Sequence, residues 1–194
     1  MALSAIAHWD ATTSALFATA PYHEATDPLS RVIAYIEFRK AILTGDLPDF
    51  TCFVGTIVQE TYQTHPEVSA AAAGNISSHA KTLEADIRAA MREHGAPQSW
   101  TPESLALHFQ AVIQGSFILA KAKGSAEAAA ESLDHLRRYV ELLFQTAGES
   151  RSGRKKSTAL SPVAGEQSLD TFAAGPKTDN KVSGPVQNGL ARSV

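Results

Sequence analysis

Seven histidines are the first residues of this 194-residue chain to suggest chemistry. A histidine-held metal or a zinc hydrolase needs two imidazoles on one helix face, three or four residues apart. His8, His23, His65, His79, His94, His108 and His135 contain no pair at either spacing, and no HExxH occurs. The expectation is therefore no metal site. His108 alone stands out, because it sits in an apolar segment where it faces a cavity, a second chain or the core. Cys52, the single cysteine, has no base or cation beside it in sequence to lower its pKa. It also excludes an intramolecular disulfide and fits a reducing, cytoplasmic compartment. Glu60 closes an apolar stretch and is either a ligand-recognising carboxylate or a solvated helix face. GxSxG, P-loop, GxGxxG and CxxC patterns are absent, so neither an enzyme nor a cofactor is expected.

The elements that position these residues read as helices. Composition is 44% hydrophobic and 19% charged, which suits a chain with one real core. Residues 1–147 carry 10 Lys/Arg against 16 Asp/Glu, and residues 148–194 carry 7 against 4. An acidic body argues against broad contact with nucleic acid, which needs a basic face. The first residues lack a basic leader, and no apolar run reaches the ~20 residues of a membrane span. Residues 2–18 place Leu3, Ile6, Trp9, Leu16 and Phe17 at helical spacing. Asp27-Pro28 opens a second helix as cap and first turn, with Leu29, Val32, Ile33, Ile36 and Leu43 as its stripe and Gly45 as its end. The segment FTCFVGTIVQETYQTH contains β-branched residues, but no other strand is available to pair with it, so a buried helix is expected. Pro66 starts a long helix that keeps its period to Gly95 across an interior Gly74, which weakens it by ~1 kcal/mol relative to alanine.

The segment from Trp100 to Phe144 organises the rest. Thr101 and Pro102 suit a helix start, Gly124 a left-handed stop, and Ser125 the cap of a second helix. The first helix is apolar almost all round and must be covered on several sides. The second carries the stripe Ala129, Leu133, Leu136, Val140 and Leu143. Ala111, Gly115, Ala122 and Ala129 are small enough for close helix approach. Two such hairpins about a two-fold axis would make a four-helix dimer core, unless the other helices of the same chain cover the pair completely. From Gly148 the pattern dissolves into Gly, Ser, Pro, Lys and Thr, predicting a disordered tail over 148–194. Its cluster Arg151, Arg154, Lys155 and Lys156 is either a solvated linker or a weak, salt-sensitive nucleic-acid contact. The expected architecture is all-α, with about six helices in residues 1–147.

The stretches DPLSRVIAYIEFRKAI, CFVGTIVQETYQTHPEVSAA, SLALHFQAVIQGSFILAKAKG and AAESLDHLRRYVELLF, in that order, resemble the C-terminal, effector-binding and dimerisation domain of the TetR family of bacterial transcriptional regulators. The resemblance covers about residues 27–144, and Leu3 to Phe17 looks like the end of the family's connecting helix. It implies that Phe53, Ile57, Tyr62, Leu83, Ile87, Trp100, Phe109, Ile113 and Phe117 come from helices around a ligand cavity, although each also suits simple core packing. It implies a homodimer through Ala111, Gly115, Ala122, Ala129, Leu133, Leu136, Val140 and Leu143. Nothing before Asp27 matches the family's three-helix DNA-reading unit, so the family's DNA contacts fall on no residue here.

Two functions are consistent with these readings. One is a dimeric sensor domain for a small apolar or amphipathic effector, without its own DNA-binding head. The other is an interaction protein that forms a heterodimer with a full-length TetR-type regulator, reaches DNA only through that partner, and weakens its binding. No membrane role is expected.

Overall fold

The computed structural model describes residues 1–95 and 99–157, and among these every regular element is helical. Helix α1 spans Ala2–Ala18, and a short 3-10 turn follows at Pro21–Glu24. Helix α2 spans Pro28–Ala41, the single turn α3 Leu47–Phe50, and α4 Phe53–Thr61. The long α5 runs Pro66–His94, α6 Pro102–Lys123 and α7 Glu127–Ser157. The six helices expected from periodicity are all present. The turn α3 and the 3-10 turn are additional, each too short to show a period.

Local chemistry explains most boundaries. The Asp27 carboxylate accepts from the Ser30 N–H at 2.7 Å, and Pro28 occupies the first turn of α2. Thr101 and Ser104 form a reciprocal capping box at the start of α6, satisfying donors that a helix start leaves open. At its end Gly124 adopts the left-handed conformation, φ 66°, which a side-chain-bearing residue rarely takes. The segment 53–61 is helical rather than extended, and Cys52 caps it: its Sγ accepts from the Gly55 N–H at 3.3 Å. Helix α5 passes through Gly74 unbroken. Helix α7 continues to Ser157, beyond Gly148, where the polar tail was expected to begin. The remainder of that expected tail lies outside the described residues.

Helix α5 is the central element, packing on α6, α4, α2 and α1. The main core joins Val32, Tyr35 and Ile36 of α2, Leu83 and Ile87 of α5, Leu105, Phe109 and Ile113 of α6, and Leu133, Leu136 and Val140 of α7. A smaller cluster of Ile6, Val54, Val68 and Ala72 attaches α1 and α4 to the N-terminal half of α5. Ion pairs tie α2 outward: Arg31 to Asp86 at 2.9 Å, Lys40 to Asp134 at 2.7 Å, and Arg137 to Glu37 at 2.8 Å. Each is partly solvated and contributes at most ~1 kcal/mol. Helix α6 is the one described helix long and apolar enough to cross a membrane, but nearly half of its apolar window, 44%, is buried inside the protein. A core helix of a soluble bundle has that same composition.

Candidate functional site

A cavity of about 340 Å³ opens between α1, α2, the α3 region, α5 and α6. Its walls are largely apolar, with polar residues interspersed at helical spacing. Asp10, Thr13, Ser14 and Phe17 project from α1, Asn75, Ser78, His79 and Thr82 from α5, and Gln110, Gln114 and Phe117 from α6. Residues spaced by three or four share one helix face, so each stripe turns as a unit toward the same space. Arg39 of α2, Phe50 of α3 and Trp9 of α1 add a cation and two aromatic rings.

Arg39 is half-buried, and among the described residues no carboxylate lies within 4 Å of it. Instead its guanidinium sits 5.1 Å from the centre of the Phe17 ring and 5.6 Å from that of Phe117, within reach of favourable cation–π attraction. Gln110 is buried at 6% exposure, and its Nε2 has no hydrogen-bond partner among the described residues. Such a group is rare in native interiors and calls for an explanation. Gln114 reaches toward α4, where Gly55 makes room: a Cβ there would lie 2.1 Å from Gln114 Oε1.

His79 Nε2 shares a hydrogen bond with the Tyr35 hydroxyl at 2.8 Å, and the His79 ring stands edge-on to Phe17 at 4.3 Å. Burial, with a smaller contribution from the Arg39 charge, lowers the His79 pKa from its ordinary 6.5 to about 4. The imidazole is therefore neutral at physiological pH. Burial also raises the Tyr35 phenol, opposed by the Arg39 charge and the nearby Gln110 amide, and pushes Tyr22 up to about 12. The two aspartates on the cavity wall are already engaged. Asp10 accepts from Asn75, and Asp49 accepts from the Asp46 N–H at 2.8 Å.

Of the nine residues expected around a ligand, Phe117 lines this cavity. Leu83, Ile87, Phe109 and Ile113 are buried in the main core, at 2% exposure or less. Ile57 packs in the smaller cluster, and Phe53, 36% exposed, lies 5.8 Å from the Trp9 ring. Tyr62 is exposed after α4, and Trp100 packs edge-on against Phe144. The large apolar residues went to the core because burying them is worth most. The cavity is lined by a largely different set, in which polar groups such as Gln110, Gln114 and Asn75 stand among Trp9, Leu16, Phe17, Ile42, Phe50, Ile76 and Phe117. Glu60 is exposed, which leaves it on a solvated face.

The hairpin α6–α7 presents a second feature. Leu107, Ile118 and Leu119 are about half exposed on α6, at 50%, 48% and 50%. Ala111 and Ala122 are exposed beside them, and a Cβ on Gly115 would meet nothing within 4 Å. His108 is exposed next to this row, its ring 5.1 Å from that of Tyr139 on α7. The expected seam of Ala129, Leu133, Leu136 and Val140 is instead buried in the chain's own core, at 0–2% exposure, with Leu143 packed against it. An apolar stripe marks a covered face without saying which chain covers it. The apolar surface that this hairpin leaves exposed is therefore the outer row of α6.

The family described as tetracyclin repressor-like, C-terminal domain, matches residues 28–136. No curated protein and no solved structure matches the chain.

Proposed function

The chain belongs to the family of tetracyclin repressor-like C-terminal domains, and from that premise we propose that it senses a small effector in the α1–α6 cavity and pairs with a second copy through the outer row of α6. Domains of this family are the ligand-binding and dimerisation parts of transcriptional regulators, and their role is regulatory rather than enzymatic. The observation that carries the sensor reading is the cavity itself, with Arg39 on its wall unpaired with any carboxylate and Gln110 Nε2 without a hydrogen-bond partner among the described residues. Its volume falls at the lower end of small-molecule sites. Helix α1 supplies a whole side of it, from Trp9 to Ala18. An occupant therefore touches α1 directly, and any preference for one position of α1 becomes a shift in its population. Pairing through Leu107, Ala111, Gly115, Ile118 and Ala122 supports the homodimer reading, since this row is apolar and small enough for close helix approach. The same row would serve pairing with a longer relative that carries a DNA-reading head, and DNA contact would then run through that relative. A cytoplasmic location follows from the regulatory role.

A thermal-shift screen of apolar and amphipathic metabolites tests the sensor reading. A ligand at a hundredfold its dissociation constant stabilises by about 2.7 kcal/mol, which raises the melting temperature by roughly 5–10 °C for a domain of this size. The shift should vanish in Thr13→Trp, which fills the cavity from α1. A hit that stabilises this variant equally binds elsewhere and contradicts the assignment.

A further inference from the structure

We propose that the cavity selects a small monoanion, an aryl or short-chain carboxylate, whose carboxylate is held by Arg39 and the Gln110 amide while its apolar body lies among the aromatic rings. This rests on reading the cavity as the effector site and names what that site recognises. The argument is one of unmatched donors. Arg39 offers five N–H groups, and among the described residues no carboxylate lies within 4 Å of it. Gln110 adds an N–H donor that is buried and without a partner. A carboxylate is an acceptor only, and a guanidinium can grip both of its oxygens at once. The Phe17 and Phe117 rings, 5.1 and 5.6 Å from its guanidinium, restrain Arg39, so less of its conformational freedom remains to be lost on binding.

The charge and size of the ligand follow from the remaining walls. Arg39 is the only Lys or Arg among the described residues that line the cavity. His79 does not add a second charge at physiological pH, because burial keeps it neutral. Asp10 and Asp49 are engaged by Asn75 and by the Asp46 N–H, and their charges oppose any anion, but a dianion such as a phosphate monoester about twice as strongly as a monoanion. A volume of about 340 Å³ lies at the lower end of small-molecule sites, which suits one ring or a short chain beside the carboxylate. Phe50, Phe117 and Trp9 supply the apolar contact.

Isothermal titration of the full chain with benzoate, phenylacetate, cinnamate and hexanoate, each against its primary amide, tests this without any substitution. The expected result is at least one acid bound about tenfold or more tightly than its amide. Arg39→Gln should bring acid and amide within about twofold while amide binding persists, and Gln110→Leu should weaken the acid more than the amide. Acid and amide bound equally by the unaltered chain, or an acid preference that survives in Arg39→Gln, overturns the anion assignment and leaves the cavity as the effector site. Binding of none of the eight overturns both the assignment and the sensor reading.

Discussion

Replacing Gln110 by leucine separates what the cavity does for a ligand from what it does for the fold. Gln110 lies on α6 between Phe109 and Ala111, 6% exposed, with its Nε2 unpartnered among the described residues. A buried donor left without an acceptor costs about 1–3 kcal/mol. Leucine removes that cost, has nearly the same size, and buries apolar surface worth about 25 cal/mol per Å². The Gln110 amide also lies near enough to Tyr35 to oppose the rise in its pKa, though without hydrogen-bond geometry, and losing that contact offsets part of the gain. The net expectation is a gain of about 1 kcal/mol, or some 2–4 °C in melting temperature for a domain of this length. Urea denaturation of both proteins at pH 7, with the midpoint converted through an unchanged slope, measures it. Over the same titration the variant should lose affinity for carboxylates. A variant destabilised by 1 kcal/mol or more refutes the reasoning, because it would mean that the amide is already satisfied in the empty cavity.

Further outcomes follow from the same geometry. His79 is held neutral down to about pH 4, against 6.5 for a free imidazole. As pH falls through 6.5 the unfolded chain takes up a proton that the folded chain refuses, so stability drops between pH 6.5 and 4 and levels off below. The loss attributable to His79 has a ceiling of about 3 kcal/mol, and His79→Gln should flatten that part of a stability profile taken by urea midpoint. Gly55→Ala places a methyl where Gln114 Oε1 now lies, so the flexible side chain swings aside. Stability should change by no more than about 1 kcal/mol, the helix-propensity gain included, while ligand affinity changes severalfold by calorimetry. Leu119→Glu, at a position 50% exposed, should leave the melting temperature of the monomer within the small range typical of surface changes. In sedimentation analysis it should convert a dimer to a monomer, and an unchanged dimer would move the interface away from the outer row of α6.

Much of the architecture was readable in the residues, and the reasons are local. Asp27-Pro28, Thr101-Pro102 and Gly124 mark helix ends by chemistry that acts within one turn, and the structure uses each in that way. The 53–61 segment was recognisable as a helix by elimination, since nothing offered it a strand to pair with. The candidate site was less accessible. Large apolar side chains on several helices suggest a pocket, and four of them, Leu83, Ile87, Phe109 and Ile113, lie in the main core. The signal lay in polar residues at helical spacing on the sides of α5 and α6 that face the cavity: Gln110 and Gln114 on α6, and Asn75, Ser78, His79 and Thr82 on α5. Arg39, next to Lys40, looked in sequence like any solvated helix charge. Only the tertiary fold brings Phe17 of α1 and Phe117 of α6 beside it. The stripe from Ala129 to Leu143 shows the same limit from the other side, since periodicity cannot distinguish a core within the chain from one between chains.

The chain carries two tryptophans, and their positions provide the most direct test that the cavity is the ligand site. Trp9 lines the cavity, whereas Trp100 packs against Phe144 outside it. Titration with 4-nitrobenzoate, a carboxylate that quenches indole fluorescence at short range, can therefore be read one indole at a time. In Trp100→Phe the remaining Trp9 emission should fall saturably with ligand, at the dissociation constant found by calorimetry. In Trp9→Phe the Trp100 emission should change only by the non-saturating background. Saturable quenching of Trp100, or calorimetric binding that leaves Trp9 unchanged, would contradict the account.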